Sequence, residues 1–127
     1  MVAITSLKTS IEKELAKGPD EGSIIELVDL IMEYGYSSRA SDVHIDPADD
    51  KVMVRLRIDG ILHDTFTFSG ELQSEVVTRI KVLSGLKTDV HHAPQDGRFK
   101  AQVEGEKDID IRVSITPTYY GENVVMR

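Results

Sequence analysis

Arg55 and Arg57 stand two apart in a stretch where Val54, Leu56 and Ile58 take the alternate positions, so both guanidinium groups should leave one face of a strand. Arg112 has the same place in the alternation Ile109, Ile111, Val113, Ile115, and Arg98 follows a turn expected at Pro94-Gln95-Asp96-Gly97. A planar fork that never loses its charge is suited to gripping phosphate with two hydrogen bonds at once. The plainer possibility pairs these arginines with Asp59, Asp96, Asp108 and Asp110 as surface ion pairs of little energetic weight. Residue types alone favour that second reading.

Asp42, His44 and Asp46 alternate with Val43 and Ile45 and should also share a face. Two carboxylates and an imidazole can hold a divalent cation, with His91-His92 as additional nitrogen donors. Such alternation equally suits the wet face of a half-buried strand, and nothing in the spacing brings the His pair near. A metal-dependent hydrolase is therefore the weakest of the available readings, and no metal site is expected.

Other chemistries lack their parts. The chain contains no Gly-x-Ser-x-Gly and no Gly-x-x-x-x-Gly-Lys-Ser/Thr, so neither a serine-nucleophile elbow nor a phosphate-cradling loop is present. The 127 residues include no Cys, which removes thiolate nucleophiles, disulfides and Cys-ligated zinc together and suits a reducing compartment. Residues 1–50 hold 11 acids and 4 bases, whereas residues 51–127 hold 11 of each, so the formal charge of −7 lies wholly in the first part. Proteins that grip a polyanion along their surface carry a basic excess, and nucleic-acid binding is not expected. A small anion met by a few arginines remains compatible with the neutral part.

The elements that must position these groups follow from periodicity. Ile4, Leu7, Ile11 and Leu15 mark a first helix stopped by Gly18-Pro19, and residues 1–22 read as this helix and a linker. Ser23 to Glu26 fits a capping box opening a second helix with Ile24, Leu27, Val28, Ile31 and Met32 on its apolar face, ending near Gly35. Strands follow at Asp42–Asp46 and Val52–Ile58, and Asp59-Gly60 turns the chain into a third through Phe68. Leu72, Val76, Ile80 and Leu83 define a third helix, with Lys81 and Gly85 at its end, where a cation suits the helix dipole. A polar loop from Lys87 to Gln95 leads to three last strands, turning at Gly105 and at Tyr120-Gly121 and ending with Val124, Val125 and Met126. The fold class is α+β: an antiparallel sheet of about six strands (βββ-α-βββ) with helices on one face. The final strand reaches Arg127 without a cap or closing turn, which suggests part of a longer protein.

Five ordered motifs resemble a known family. They are Arg39-Ala-Ser-Asp-Val-His-Ile-Asp-Pro47, Val54-Arg-Leu-Arg-Ile-Asp-Gly-Ile-Leu-His63, Arg79-Ile-Lys-Val-Leu-Ser-Gly-Leu86, Pro94-Gln-Asp-Gly-Arg-Phe99, and Ile109-Asp-Ile-Arg-Val-Ser-Ile-Thr-Pro-Thr118 with Gly121-Glu-Asn-Val-Val-Met-Arg127. Together they look like the second N-terminal, PAS-like domain of the type II secretion and type IV pilus assembly ATPases, with residues 23–127 as that domain. Tyr119-Tyr120, where a His is common before Gly-Glu, and His91-His92 depart from the family pattern without touching the arginines.

The resemblance implies a hexameric ATPase, using ATP and Mg2+, at the cytoplasmic face of the inner membrane, where it works through an integral-membrane platform protein. Its RecA-like ATPase domain would lie outside this chain, which would have no turnover of its own. In the family, arginines at the positions of Arg98 and Arg112 approach the γ-phosphate when the domains close, and this outweighs the surface-pair reading. Arg55 and Arg57 would belong to a subunit or domain interface. The competing expectation is a freestanding PAS-like sensor of a small ligand, which needs a core cavity with convergent polar groups.

Overall fold

A computed structural model describes residues 21–102 and 108–127. The helix expected over residues 4–17 and the turn at Gly105 lie outside them. The element order is α1 (Glu21–Ser37), β1 (Asp42–Pro47), β2 (Lys51–Ile58), β3 (Ile61–Ser69), a 3-10 turn (Gly70–Leu72), α2 (Gln73–Ser84), β4 (Gln95–Gln102), β5 (Asp108–Thr118) and β6 (Gly121–Met126). This is the expected α+β arrangement, an open six-stranded antiparallel sheet in the order β3-β2-β1-β6-β5-β4.

Two three-stranded meanders join where the first and last strands pair antiparallel, with Val43 opposite Met126 and Ile45 opposite Val124. Alternation then decides the faces. Val43, Ile45, Val52, Val54, Leu56, Phe66, Phe68, Ile111, Val113, Ile115, Val124 and Met126 are buried in one continuous apolar cluster with Leu27, Ile31, Val76 and Ile80 of the two helices. Their partners in the alternation, including Arg55, Arg57, Arg98 and Arg112, occupy the opposite face.

Several boundaries differ from the sequence reading for local reasons. Helix α1 starts at Glu21, which places Ser23 inside the helix and not ahead of it as a cap. It also runs past Gly35 to Ser37. Gly35 is needed for approach, since a Cβ there would stand 2.9 Å from the Val43 Cγ2 of β1. The chain reverses later, at Arg39, whose φ is 58°. The Asp59-Gly60 hairpin has both turn residues at positive φ, 52° and 80°, with Ile58 opposite Ile61, as a two-residue turn of this type requires. The final hairpin turns one residue earlier than expected, at Tyr119-Tyr120, with Thr118 opposite Gly121.

The largest revision concerns the segment before Arg98. Gln95, Asp96 and Gly97 form strand and not a turn, pairing with Ile115, Ser114 and Val113. The ladder to β5 supplies their backbone partners, and the Ser114 hydroxyl donates to Asp96 Oδ1 at 2.7 Å. Gly97 serves the close passage of β4 along the end of α2. A Cβ there would lie 3.1 Å from the Ser84 carbonyl oxygen and 3.0 Å from Leu86 Cδ2. The Ser84 contact is backbone at a helix end and cannot swing aside. Gly97→Ala should therefore cost about 1–3 kcal/mol, the usual penalty of overpacking, read by urea unfolding. A cost near zero would show that α2 and β4 separate freely.

Candidate functional site

β4, β5 and β6 carry the site on the face turned away from the helices. Arg98 stands directly opposite Arg112 in the β4–β5 ladder. Arg112 in turn exchanges two backbone hydrogen bonds with Arg127, at 2.9 and 2.8 Å. Three guanidinium-bearing residues thus form one row across three neighbouring strands, all exposed, and they line a shallow groove of about 390 Å3 with Asp96 and Ser114. Like charges directly opposite one another in a sheet are unfavourable. Among the described residues neither neighbouring carboxylate forms an ion pair with the row: Asp96 accepts from Ser114, and Asp110 stands opposite Lys100.

The other half of the face is neutralised. Arg55 pairs with Asp46 at 2.5 Å. Arg57 Nε lies 3.5 Å from Asp42 Oδ2, and its Nη1 donates to the Gly60 carbonyl at 3.2 Å. Among the described residues the ion pairs that the sequence placed on Asp59, Asp96, Asp108 and Asp110 are thus made instead by Asp42 and Asp46, for Arg57 and Arg55.

Asp42, His44 and Asp46 do share a face, but each is already engaged. His44 Nε2 meets Asp42 Oδ2, Ser41 donates to Asp42 Oδ1 at 2.7 Å, and Arg55 holds Asp46. Burial would raise the Asp42 carboxyl, yet the Ser41 and His44 hydrogen bonds and the His44 and Arg57 charges outweigh it and hold it below the usual range. Among the described residues no group of three His, Asp or Glu side chains could surround a metal ion.

His91 lies elsewhere, in a network that sequence reasoning missed. Lys81, expected near the end of its helix as a complement to the dipole, is 1% exposed. Its Nζ donates to the Val90 carbonyl at 2.7 Å and pairs with Glu122 Oε2 at 2.9 Å, and His91 Nδ1 lies 3.0 Å from Glu122 Oε1. The available signal was Val77, four residues earlier and buried, which extends the apolar stripe of α2 to Lys81. The network fixes the connection entering β4 and the start of β6, and so places two of the three arginine strands.

The geometry therefore defines an α+β domain that presents, on an open sheet face, arginines with no ion-pair partner among the described residues, and its sequence contains no phosphate-loop motif. The family model for "Type II/IV secretion system protein" matches residues 17–127, and the chain belongs to that family. It is 36% identical over 126 residues to the type IV pilus assembly ATPase PilB of Myxococcus xanthus, covering 99% of this chain and 22% of that protein. It is 41% identical over 107 residues to the type II secretion system protein E of Xanthomonas campestris, covering 84% and 19%. With the type II secretion system ATPase E of Vibrio cholerae, identity is 35% over 115 residues, covering 91% and 23%. The chain spans about a fifth of the length of these relatives. Among the described residues no helix is long and apolar enough to cross a membrane.

The Glu122 network sets a pH dependence. Burial would raise the Glu122 carboxyl, but the hydrogen bonds and charges of His91 and Lys81 prevail and hold it below its usual value. A carboxyl depressed in the folded state contributes stability above its unfolded pKa and loses that contribution as pH falls through the folded one. Glu122→Gln should cost about 3–5 kcal/mol at neutral pH by leaving Lys81 buried without its counter-charge, and should flatten the acid limb of stability against pH. Urea unfolding between neutral and acidic pH checks both. An unchanged acid limb would show that Glu122 is not the group responsible.

Proposed function

We propose that this chain is the N-terminal coupling domain of a hexameric ATPase that powers type IV pilus assembly or type II secretion. On this reading Arg98 and Arg112 meet the γ-phosphate of ATP held by a RecA-like domain in the remainder of the protein. The observation that carries it is the direct opposition of these two arginines on an uncovered face, where no described acid pairs with them. The names of the relatives support an ATPase parent.

The residues present suit part of the nucleotide. Guanidinium groups without a counter-ion fit a phosphate, while the missing Gly-x-x-x-x-Gly-Lys-Ser/Thr leaves the rest of the nucleotide to be held elsewhere. ATP with Mg2+ supplies the phosphoryl group whose growing charge the arginines stabilise. Phosphoryl transfer is catalysed largely by positioning and charge stabilisation, so an arginine arriving at the γ-phosphate changes the rate greatly. Delivery by a mobile domain also couples chemistry to movement, since the anion favours the closed arrangement.

The remaining partners follow from the same reading. Neighbouring subunits of the hexamer would meet the Arg55 and Arg57 hairpin, and the motor would work at the cytoplasmic face of the inner membrane on an integral-membrane platform protein. A freestanding sensor draws no comparable support: the buried charged residues among those described, Lys81 and Glu122, are spent on each other and not aimed into a cavity.

Arg98→Ala and Arg112→Ala in the full-length protein should each lower ATP turnover by about 10³-fold or more. Both residues are exposed, so thermal stability should change by no more than about 0.5 kcal/mol. Steady-state ATPase assays with parallel melting curves test this. Wild-type turnover in both variants would remove the proposed role.

A further inference from the structure

We infer that β4 accepts an extended segment of another protein as an added strand, with an apolar side chain of that segment entering the groove between β4 and α1 and basic side chains beside it meeting the acids of α1. The backbone prepares this edge. In an antiparallel sheet the N–H and C=O of one residue point to the same side, and the side alternates along the strand. Arg112 directs both of its groups to Arg127 in β6. The Arg98–Arg112 pair is therefore a non-hydrogen-bonded one, and the N–H and C=O of Arg98 point away from β5. The β4–β5 register runs unbroken from Gln95 to Gln102, so Asp96 and Lys100 turn theirs outward as well. Among the described residues β4 is the last strand of the sheet and these groups have no backbone partner. The other edge strand, β3, is interrupted by an irregularity against Val54 and Arg55, one of the devices that keep an edge from pairing.

The residues between them face the helices. Phe99 and Ala101 line a groove of about 430 Å3 with Leu30 of α1 and Leu83 of α2, and Phe99, Ala101 and Leu83 are only partly buried. Glu26 and Asp29 stand exposed on the α1 wall of the same groove. A free strand edge beside a side-chain groove is what strand addition uses: main-chain hydrogen bonds give affinity, and the groove reads alternate side chains. Same-face side chains of a strand lie ~6.7 Å apart, so the residues two places either side of the apolar one point along the α1 wall, where its acids favour a cation. A second copy of this chain suits the edge less well. Antiparallel registers centred on Arg98 or on Phe99 would set Arg98 against itself or against Lys100, and like charges directly opposite are unfavourable.

Titration of the 127-residue chain with the peptide acetyl-Thr-Lys-Thr-Leu-Thr-Lys-Thr-amide, at low ionic strength where exposed charges are least screened, reads the site. Lysine on both sides of leucine serves either strand direction. The same peptide with glutamate for both lysines should bind at least roughly tenfold more weakly, and Glu26→Lys should abolish that preference. Amide hydrogen exchange at Arg98 and Lys100 should slow at least roughly tenfold when the lysine peptide is bound, while the amides of β3 keep their rates. Lys100→Pro removes one outward N–H at an edge position that tolerates proline and should weaken the lysine peptide roughly tenfold. Lys100→Gln, which keeps that N–H, should bind at least as well as wild type. Melting curves accompany each variant, and if Lys100→Pro melts early, the exchange and Glu26→Lys measurements decide.

Equal affinity for the two peptides overturns the inference, as does binding that leaves the Arg98 and Lys100 amides exchanging at their free rates. No binding at about 1 mM peptide, an affinity below roughly 4 kcal/mol, overturns it as well. A concentration-dependent dimer of this chain that Lys100→Pro abolishes would give the edge to a second copy and overturn the assigned occupant.

Discussion

Lys81 is a charged side chain in the middle of a small protein, and the arrangement around it follows from that burial. Taking an ammonium out of water costs several kcal/mol unless acceptors surround it. Here they come from two distant parts of the chain, the Val90 carbonyl and the Glu122 carboxylate. The Gln73 amide adds a third tie, donating to the Glu122 backbone carbonyl at 3.2 Å from the other end of the same helix. Helix α2 is thereby fastened at both ends to β6, and the segment that enters β4 is fastened to α2. The Gln95 side chain adds to this at the start of β4, accepting from the Lys87 N–H and donating to the Lys87 and Val90 carbonyls. The ion pair joins these contacts in placing the approach to β4 and the start of β6.

The consequence lies on the opposite face. In a sheet, the register of one pair decides every other cross-strand neighbour. The β4–β5 and β5–β6 ladders then set Arg98, Arg112 and Arg127 in line. The β1–β2 half of the face has its arginines paired with carboxylates, and among the described residues the β4–β5–β6 half has no such pair. The fold thus keeps a positive groove by backbone pairing alone, leaving the charge available.

How far this was legible in the sequence depended on the range of each interaction. Strands with strict alternation, the Asp59-Gly60 turn and the α2 stripe were readable, since each is set by neighbours within a few residues. Arg98 and Arg112 were also within reach, being equally far from Gly105, so any turn centred there sets them opposite each other. Arg127 was hidden by one residue. A turn at Tyr120-Gly121 would oppose Arg127 to Ser114, whereas the turn at Tyr119-Tyr120 opposes it to Arg112. Lys81 with Glu122 was not readable, because forty-one positions separate them and helix-end chemistry gave the lysine a sufficient surface role. The five motifs indicated the family, but they carry no information about which side chains a neighbouring element has already claimed.

A row of exposed arginines is a poor binder by itself, and this bears on how the proposed coupling would work. Each free guanidinium side chain holds about 2 kcal/mol of rotamer entropy that an ordered contact must overcome. Ionic screening at physiological salt reduces the attraction further, with a Debye length of about 8 Å. An open face would therefore hold a nucleotide weakly, and most of the binding would come from the domain that cradles it. What the arginines add is realised only when the two surfaces meet and water leaves, where the same charges act in a lower dielectric. A site that is weak alone and strong on closure makes a large difference between the open and closed states, and that difference is the most a ligand can contribute to driving the motion.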